Sequence, residues 1–186
     1  GELDASRIQS VTFLEDYSES QQDLVFVYTL SGKNGVYEVR LDPDGGEVSS
    51  CRVLFGDSLL SGGLCGGSPA VRTAASGTLL KSGGVGRCLL GSGAGFEGGL
   101  QLNGVLGVAS SVRVGSQNVV LFICDTANLR IMRCEYSWAE FKWDVSVLVT
   151  RDAGTNPTVI THSTADDRVY FYASDDEKVY SIAASG

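Results

Sequence analysis

The sequence predicts an all-β fold, on three observations. Short apolar runs rich in Val, Ile, Phe and Tyr recur along the chain, such as 24–29 (LVFVYT). Turn signals such as 31–35 (SGKNG) and 42–46 (DPDGG) separate them, and the chain carries 24 glycines against 3 prolines. The runs also fall into sets with a common order, which is the mark of a repeated all-β unit.

Taken in order, 8–14 alternates loosely and reads as a strand, and polar 15–22 reads as a loop. Residues 24–29, 36–41 (VYEVRL) and 48–55 (VSSCRVLF) supply three further strands, and the four make an antiparallel meander. A second full set is expected at 104–114, 119–124, 130–136 and 143–150, and a third, lacking its last strand, at 157–162, 168–173 and 178–183. Between the first and second full sets lies a contracted one, with short strands at 70–75, 78–81 and near 85–90.

The stretch 119–135 (VVLFICDTANLRIMRCE) organises this reading. It is one apolar run, a polar break and a second apolar run, which is a hairpin signature. Asp125 and Asn128 suit the break, because their side chains bond nearby backbone amides and Asn tolerates positive φ. Val39-Arg40, Gly86-Arg87 and Met132-Arg133 sit 47 and 46 residues apart. A period in the forties with four strands per unit predicts a radial β-propeller.

Residues 121–133 (LFICDTANLRIMR) resemble the core of an NHL repeat: an apolar strand, Asp, a small residue, Asn, any residue, Arg, Ile. Gly91-Ser92-Gly93, Gly98-Gly99 and Leu106-Gly107-Val108-Ala109 resemble that family's glycine-rich lead-in and first strand; Val105 departs from it where proline is usual. The resemblance implies a single β-propeller domain over 1–186 of about four NHL-like blades, one contracted, near 7–56, 57–91, 92–150 and 151–186. Residues 1–6 are available to close the ring. It also implies that Asp125, Asn128 and Arg130 form a structural turn motif rather than an active site.

Composition narrows the function. The net charge of −8 repels phosphate backbones, so nucleic acid is not the expected partner. No apolar run approaches the length of a membrane-spanning helix, so no membrane insertion is expected. The five cysteines, Cys51, Cys65, Cys88, Cys124 and Cys134, match no zinc spacing, and both a disulfide-bonded and a reduced state remain open. The compartment is left open as well, with a secreted setting slightly favoured. No N-x-S/T acceptor exists, which counts against glycosylation.

No catalytic, cofactor-binding or metal residues are assigned. His162 is the one histidine, and a catalytic or metal-bound histidine needs companions. The carboxylates at Asp166-Asp167 and Asp175-Asp176-Glu177 match no EF-hand spacing and read as hairpin-turn residues. The glycine-rich stretch 91–99 is followed by no GK[ST]. Trp138, Phe141 and Trp143, interleaved with charge, suit a protein-binding patch, and the long loop 92–103 adds Phe96 and Glu97.

The expectation is therefore a non-catalytic protein–protein interaction module or scaffold that presents its loops to a protein partner, with a homodimer among the allowed states. The alternatives are a Ca²⁺-dependent hydrolase or lyase with axial carboxylates, and a fragment or subunit of a larger propeller assembly.

Overall fold

Apolar runs and turn signals sort the chain into three antiparallel sheets. The structure, a computed structural model, describes residues 7–14, 24–42, 44, 48–56, 80–81, 102–112, 118–137, 142–150 and 156–185. The first sheet is a meander of β1 (Ile8–Leu14), β2 (Leu24–Leu30), β3 (Gly35–Leu41) and β4 (Val48–Gly56). A two-residue strand, β5 (Leu80–Lys81), precedes the middle sheet. That sheet is a second meander of β6 (Val105–Val112), β7 (Asn118–Asp125), β8 (Arg130–Ser137) and β9 (Lys142–Thr150), with β5 paired to β9. The third sheet holds β10 (Pro157–Ser163), β11 (Arg168–Ala173) and β12 (Lys178–Ala183).

Local chemistry sets the hairpins. Gly32 takes φ 70° in the β2–β3 turn, where the Lys33 N–H bonds to the Leu30 carbonyl at 3.2 Å. Asp167 (φ 51°) and Glu177 (φ 54°) end the turns 164–167 and 174–177 in the left-handed region. Aspartate is enriched there among non-glycine residues.

The sheets stack face to face. Leu14, Val25, Val27, Val36 and Phe55 of the first sheet share one apolar core with Val108, Leu121, Ile123, Met132 and Tyr136 of the middle sheet. The opposite face of the middle sheet presents Ala109, Val120, Phe122, Cys124 and Ile131, which pack on Ile160, Val169 and Phe171 of the third. The middle sheet is thus covered on both faces. This is why β7 reads as an unbroken apolar run: Val119 to Cys124 are all buried. By contrast β12 alternates, because one of its faces is open.

A ladder of small residues joins the first strands of the sheets. The Ser10 hydroxyl accepts from the Val108 N–H (3.1 Å) and donates to the Val108 carbonyl (3.2 Å). Thr12 and Ser110 share a hydroxyl bond of 2.8 Å, and Thr29 donates to the Leu106 carbonyl at 2.7 Å. On the far side of β6, a Cβ at Gly107 would lie 2.7 Å from the Thr158 carbonyl oxygen and 3.1 Å from the Ile160 Cγ2. Glycine at 107 therefore lets β10 close on β6. Stacked antiparallel meanders joined at their first strands make an all-β, propeller-like fold.

The expected contracted unit 57–91 lies outside the described residues apart from Leu80–Lys81, as does the segment 1–6. Leu80 pairs with Trp143 and Lys81 with Lys142, a placement the sequence reading did not anticipate.

Candidate functional site

Two features stand out from the framework: a buried polar turn in the middle sheet and an open face on the third. The turn joins β7 to β8 through a single 3-10 turn, Thr126–Asn128, and Leu129 leaves it in the left-handed conformation at φ 55°. Such a conformation costs a branched residue about 1–2 kcal/mol, so its surroundings must hold it. The holding group is the Asp125 carboxylate, which is fully buried. Its Oδ2 accepts from Arg130 Nε at 2.7 Å and Asn128 Nδ2 at 2.9 Å, and its Oδ1 accepts from the Asn103 N–H at 2.6 Å. Arg130 and Asn128 are buried with it.

The same turn ties the sheets together. Thr126 donates its hydroxyl to the Pro157 carbonyl of β10 at 2.6 Å. The Ala127 N–H bonds to the Asn103 carbonyl at 3.0 Å, and the Gly104 N–H bonds to the side-chain oxygen of Asn34 at 2.7 Å. With these three contacts directed inward, the Asp125 carboxylate has the chemistry of a brace.

Other ionisable groups are also paired within the sheets. Glu38, 1% exposed, accepts from Arg40 Nε at 2.9 Å, and Arg133 bridges to Glu135 at 2.6 Å. Arg133 also donates to the Ala184 carbonyl at 3.1 Å, fastening the end of the third sheet to the middle one. His162 packs its ring on Phe122 (5.5 Å between centroids), and its Nε2 lies 3.2 Å from Asp167 Oδ1. Asp167 sits in the hairpin turn 164–167, as the sequence suggests, and that turn brings it onto the histidine. Tyr170 donates its hydroxyl to Asp166 at 2.6 Å, which holds the Asp166 carboxyl below its usual range and pushes the Tyr170 phenol up. Burial pushes Tyr28 up to about 12 and raises the free thiols Cys124 and Cys134 well above theirs.

Among the described residues, no group of three or more His, Cys, Asp or Glu is arranged to hold a metal ion. No helix among them is long and apolar enough to cross a membrane.

The open face belongs to β10–β12. Val159, Tyr172 and Val179 lie directly opposite one another across the three strands. Residues so paired share one side of a sheet. Val159 and Val179 are 63% and 68% exposed, and Tyr172 is half-buried. Phe171 and Tyr180 occupy the opposite face, stacked at 5.6 Å. The sequence reading did not separate the two faces of this sheet. The strict alternation of RVYFYA and the equal four-residue turns were the signals that could have separated the two faces.

Of the expected partner-binding residues, Phe96, Glu97, Trp138 and Phe141 lie outside the described residues. Trp143 is placed by its backbone, opposite Tyr136 on one side and Leu80 on the other.

No protein-family model matches the chain, and no curated protein sequence matches it. Solved structures do. An auxiliary nutrient binding protein from Bacteroides thetaiotaomicron VPI-5482 is similar at a TM-score of 0.50 and 8% identity, over 92% of this chain and 37% of that one. A "putative 6-phosphogluconolactonase" from Bacteroides uniformis ATCC 8492 is similar at 0.45 and 13%, over 94% of this chain and 52% of that one. The chain therefore spans about a third to a half of the length of these two structures. The likeness to the first of these is one of fold alone, that of the all-β, propeller-like architecture described above.

Proposed function

We propose that this chain is a non-catalytic binding module, an NHL-type propeller unit that holds a protein partner. The observation that carries the reading is the division of labour among its side chains. The ionisable groups Asp125, Arg130, Glu38 and Arg133 are spent on bracing strands and turns. The side chains left facing solvent on first and last strands include Val11, Phe13, Val159 and Val179. Apolar side chains on a rigid sheet bind by excluding water and supply no acid, base or nucleophile. The buried contacts of Asp125 with Asn128 and Arg130 support the NHL reading of residues 121–133.

In this reading Trp138, Phe141, Trp143 and Phe96 contribute aromatic anchors to the contact, with the charge of Glu97 beside them. The experiment is affinity capture with the intact chain, beside a Trp138→Ala/Phe141→Ala variant that melts at the same temperature. A discrete captured protein that the variant loses is the expected result. Unchanged capture removes this patch. No capture, together with a melting temperature that rises with added Ca²⁺, would turn the assignment toward a metal-dependent enzyme.

A further inference from the structure

The sequence holds two Asn–Gly pairs, Asn34-Gly35 and Asn103-Gly104. Such a dipeptide is prone to deamidate, because glycine has no side chain to keep its backbone nitrogen away from the asparagine carboxamide. The fold needs both glycines. Gly104 sits at φ 60°, and a Cβ there would lie 3.1 Å from the Ala127 Cβ. A Cβ at Gly35 would lie 2.9 Å from the Tyr37 hydroxyl and 3.1 Å from the Phe55 carbonyl oxygen.

The peptide group between Asn103 and Gly104 is clamped at both ends. Its carbonyl accepts from the Ala127 N–H at 3.0 Å, and its N–H donates to the Asn34 Oδ1 at 2.7 Å. One clamp comes from the turn between β7 and β8, the other from the residue that leads into β3 of the first sheet. The Asn103 N–H adds a further bond, to the Asp125 Oδ1 at 2.6 Å. The side chain of one Asn–Gly pair thus holds the reactive nitrogen of the other. The Asn103 carboxamide takes part in none of these bonds, and the residue is only half-buried.

We propose that Asn103 is a latent deamidation site and that the Asn34 carboxamide keeps it closed. In the reaction the Gly104 nitrogen loses its proton and bonds to the Asn103 Cγ. The Cγ–Nδ2 bond breaks, the amide nitrogen leaves with that proton as ammonia, and a succinimide ring remains. Water then opens the ring at either carbonyl, giving aspartate or isoaspartate. While the Gly104 N–H is bonded to Asn34, the nitrogen keeps its proton and the peptide plane is held. The reaction therefore waits for the first sheet to part from the middle one at this point, and its rate follows that local opening rather than the exposure of Asn103. The product loosens the fold in turn. A new carboxylate at 103 stands beside the buried Asp125 carboxylate, a like-charge contact. Isoaspartate also lengthens the main chain between the bonds to Asp125 and Ala127.

The test incubates the intact protein in warm, mildly alkaline heavy-oxygen water. Peptide mass spectrometry with electron-transfer fragmentation then separates aspartate from isoaspartate. The folded parent should keep the Asn103 amide at least about tenfold longer than the parent in urea. Asn34→Ala removes the acceptor and should speed the folded-state loss by about tenfold, the factor that one hydrogen bond carries. Asn34→Asp keeps an acceptor oxygen and should age like the parent. Gly107→Ala strains the other side of β6 and leaves the clamp in place, so it controls for lost stability alone and should also age like the parent. In urea the parent and Asn34→Ala should lose the Asn103 amide at equal rates.

Loss from the folded parent as fast as in urea would overturn the proposal. So would an Asn34→Ala rate equal to the parent's, an Asn34→Asp rate equal to that of Asn34→Ala, or an equal acceleration by Gly107→Ala. If Asn34→Ala does not fold, hydrogen exchange of the Gly104 amide in the parent decides. An amide slowed by about tenfold or more, with Asn103 retained, supports the clamp, and one that exchanges as in the unfolded chain overturns it.

Discussion

Asp125 carries three hydrogen bonds, and its removal gives the largest expected change in stability. Asp125→Ala deletes the acceptor for Arg130, Asn128 and the Asn103 amide at once. Arg130 is 5% exposed, so its guanidinium loses its carboxylate in a site that water barely reaches. Removing one partner of a buried ion pair costs about 3–5 kcal/mol. Leaving a buried donor unmet costs about 1–3 kcal/mol, and these losses overlap rather than add. A total of about 3–5 kcal/mol is a large share of the roughly 5–15 kcal/mol that stabilises an ordinary domain. At a urea dependence of about 2 kcal/mol per molar, the unfolding midpoint drops by about 1.5–2.5 M. Urea titration followed by circular dichroism measures it. Asp125→Ala/Arg130→Met removes both charges and should recover part of the loss. The reasoning fails if Asp125→Ala costs less than about 1 kcal/mol, or if the cost of the double variant equals the sum of the two single ones.

Three other outcomes are expected. Gly107→Ala forces its Cβ against the Thr158 carbonyl of β10, and overpacking of this kind costs about 1–3 kcal/mol in the same titration; an unchanged or higher midpoint would contradict it. Tyr170→Phe removes the donor that holds Asp166 low, so the carboxyl should return toward its usual range in an NMR pH titration. Because the folded value is depressed, the pair's stabilisation is present above the ordinary aspartate value and lost as pH falls through the folded one; an unmoved midpoint in the variant would refute the assignment. Tyr28 has a raised value, so its contribution is intact below about pH 10 and is lost as pH rises toward about 12. Tyr28→Phe should flatten that alkaline decline, and a decline as steep as the parent's would show that other groups cause it.

Much of the strand pattern was legible because these strands carry β-branched and aromatic residues between strong turn signals. The runs at Ile8–Leu14, Arg168–Ala173 and Lys178–Ala183 have the bounds expected, and other strands differ by a residue or two at their ends. Ends drift because pairing, rather than composition, stops a strand; β4 continues through Gly56, which pairs with Gly35. What stayed hidden depends on contacts between sheets. Ser10, Thr12 and Thr29 look like solvent-facing positions of alternating strands, yet their hydroxyls bond to β6. Nothing near Gly107 in the sequence announces the Thr158 carbonyl, some fifty residues on, that excludes a side chain there. Asp125 was readable as a turn residue, but not as a bridge reaching back to Asn103, a strand earlier. The open face of β10–β12 was missed because a tyrosine-rich strand has the same composition whether one face or both are covered.

In this fold the first strands of the three meanders, β1, β6 and β10, lie side by side, with β6 in the middle. A NOESY spectrum of the intact, labelled protein tests it most directly. The expected result is a cross-peak from the Gly107 Hα protons to an Ile160 methyl and another from the Val108 amide to Ser10. If both cross-peaks are absent while those within the β7–β8 hairpin are present, the sheets do not stack in this order, and the fold described above is wrong.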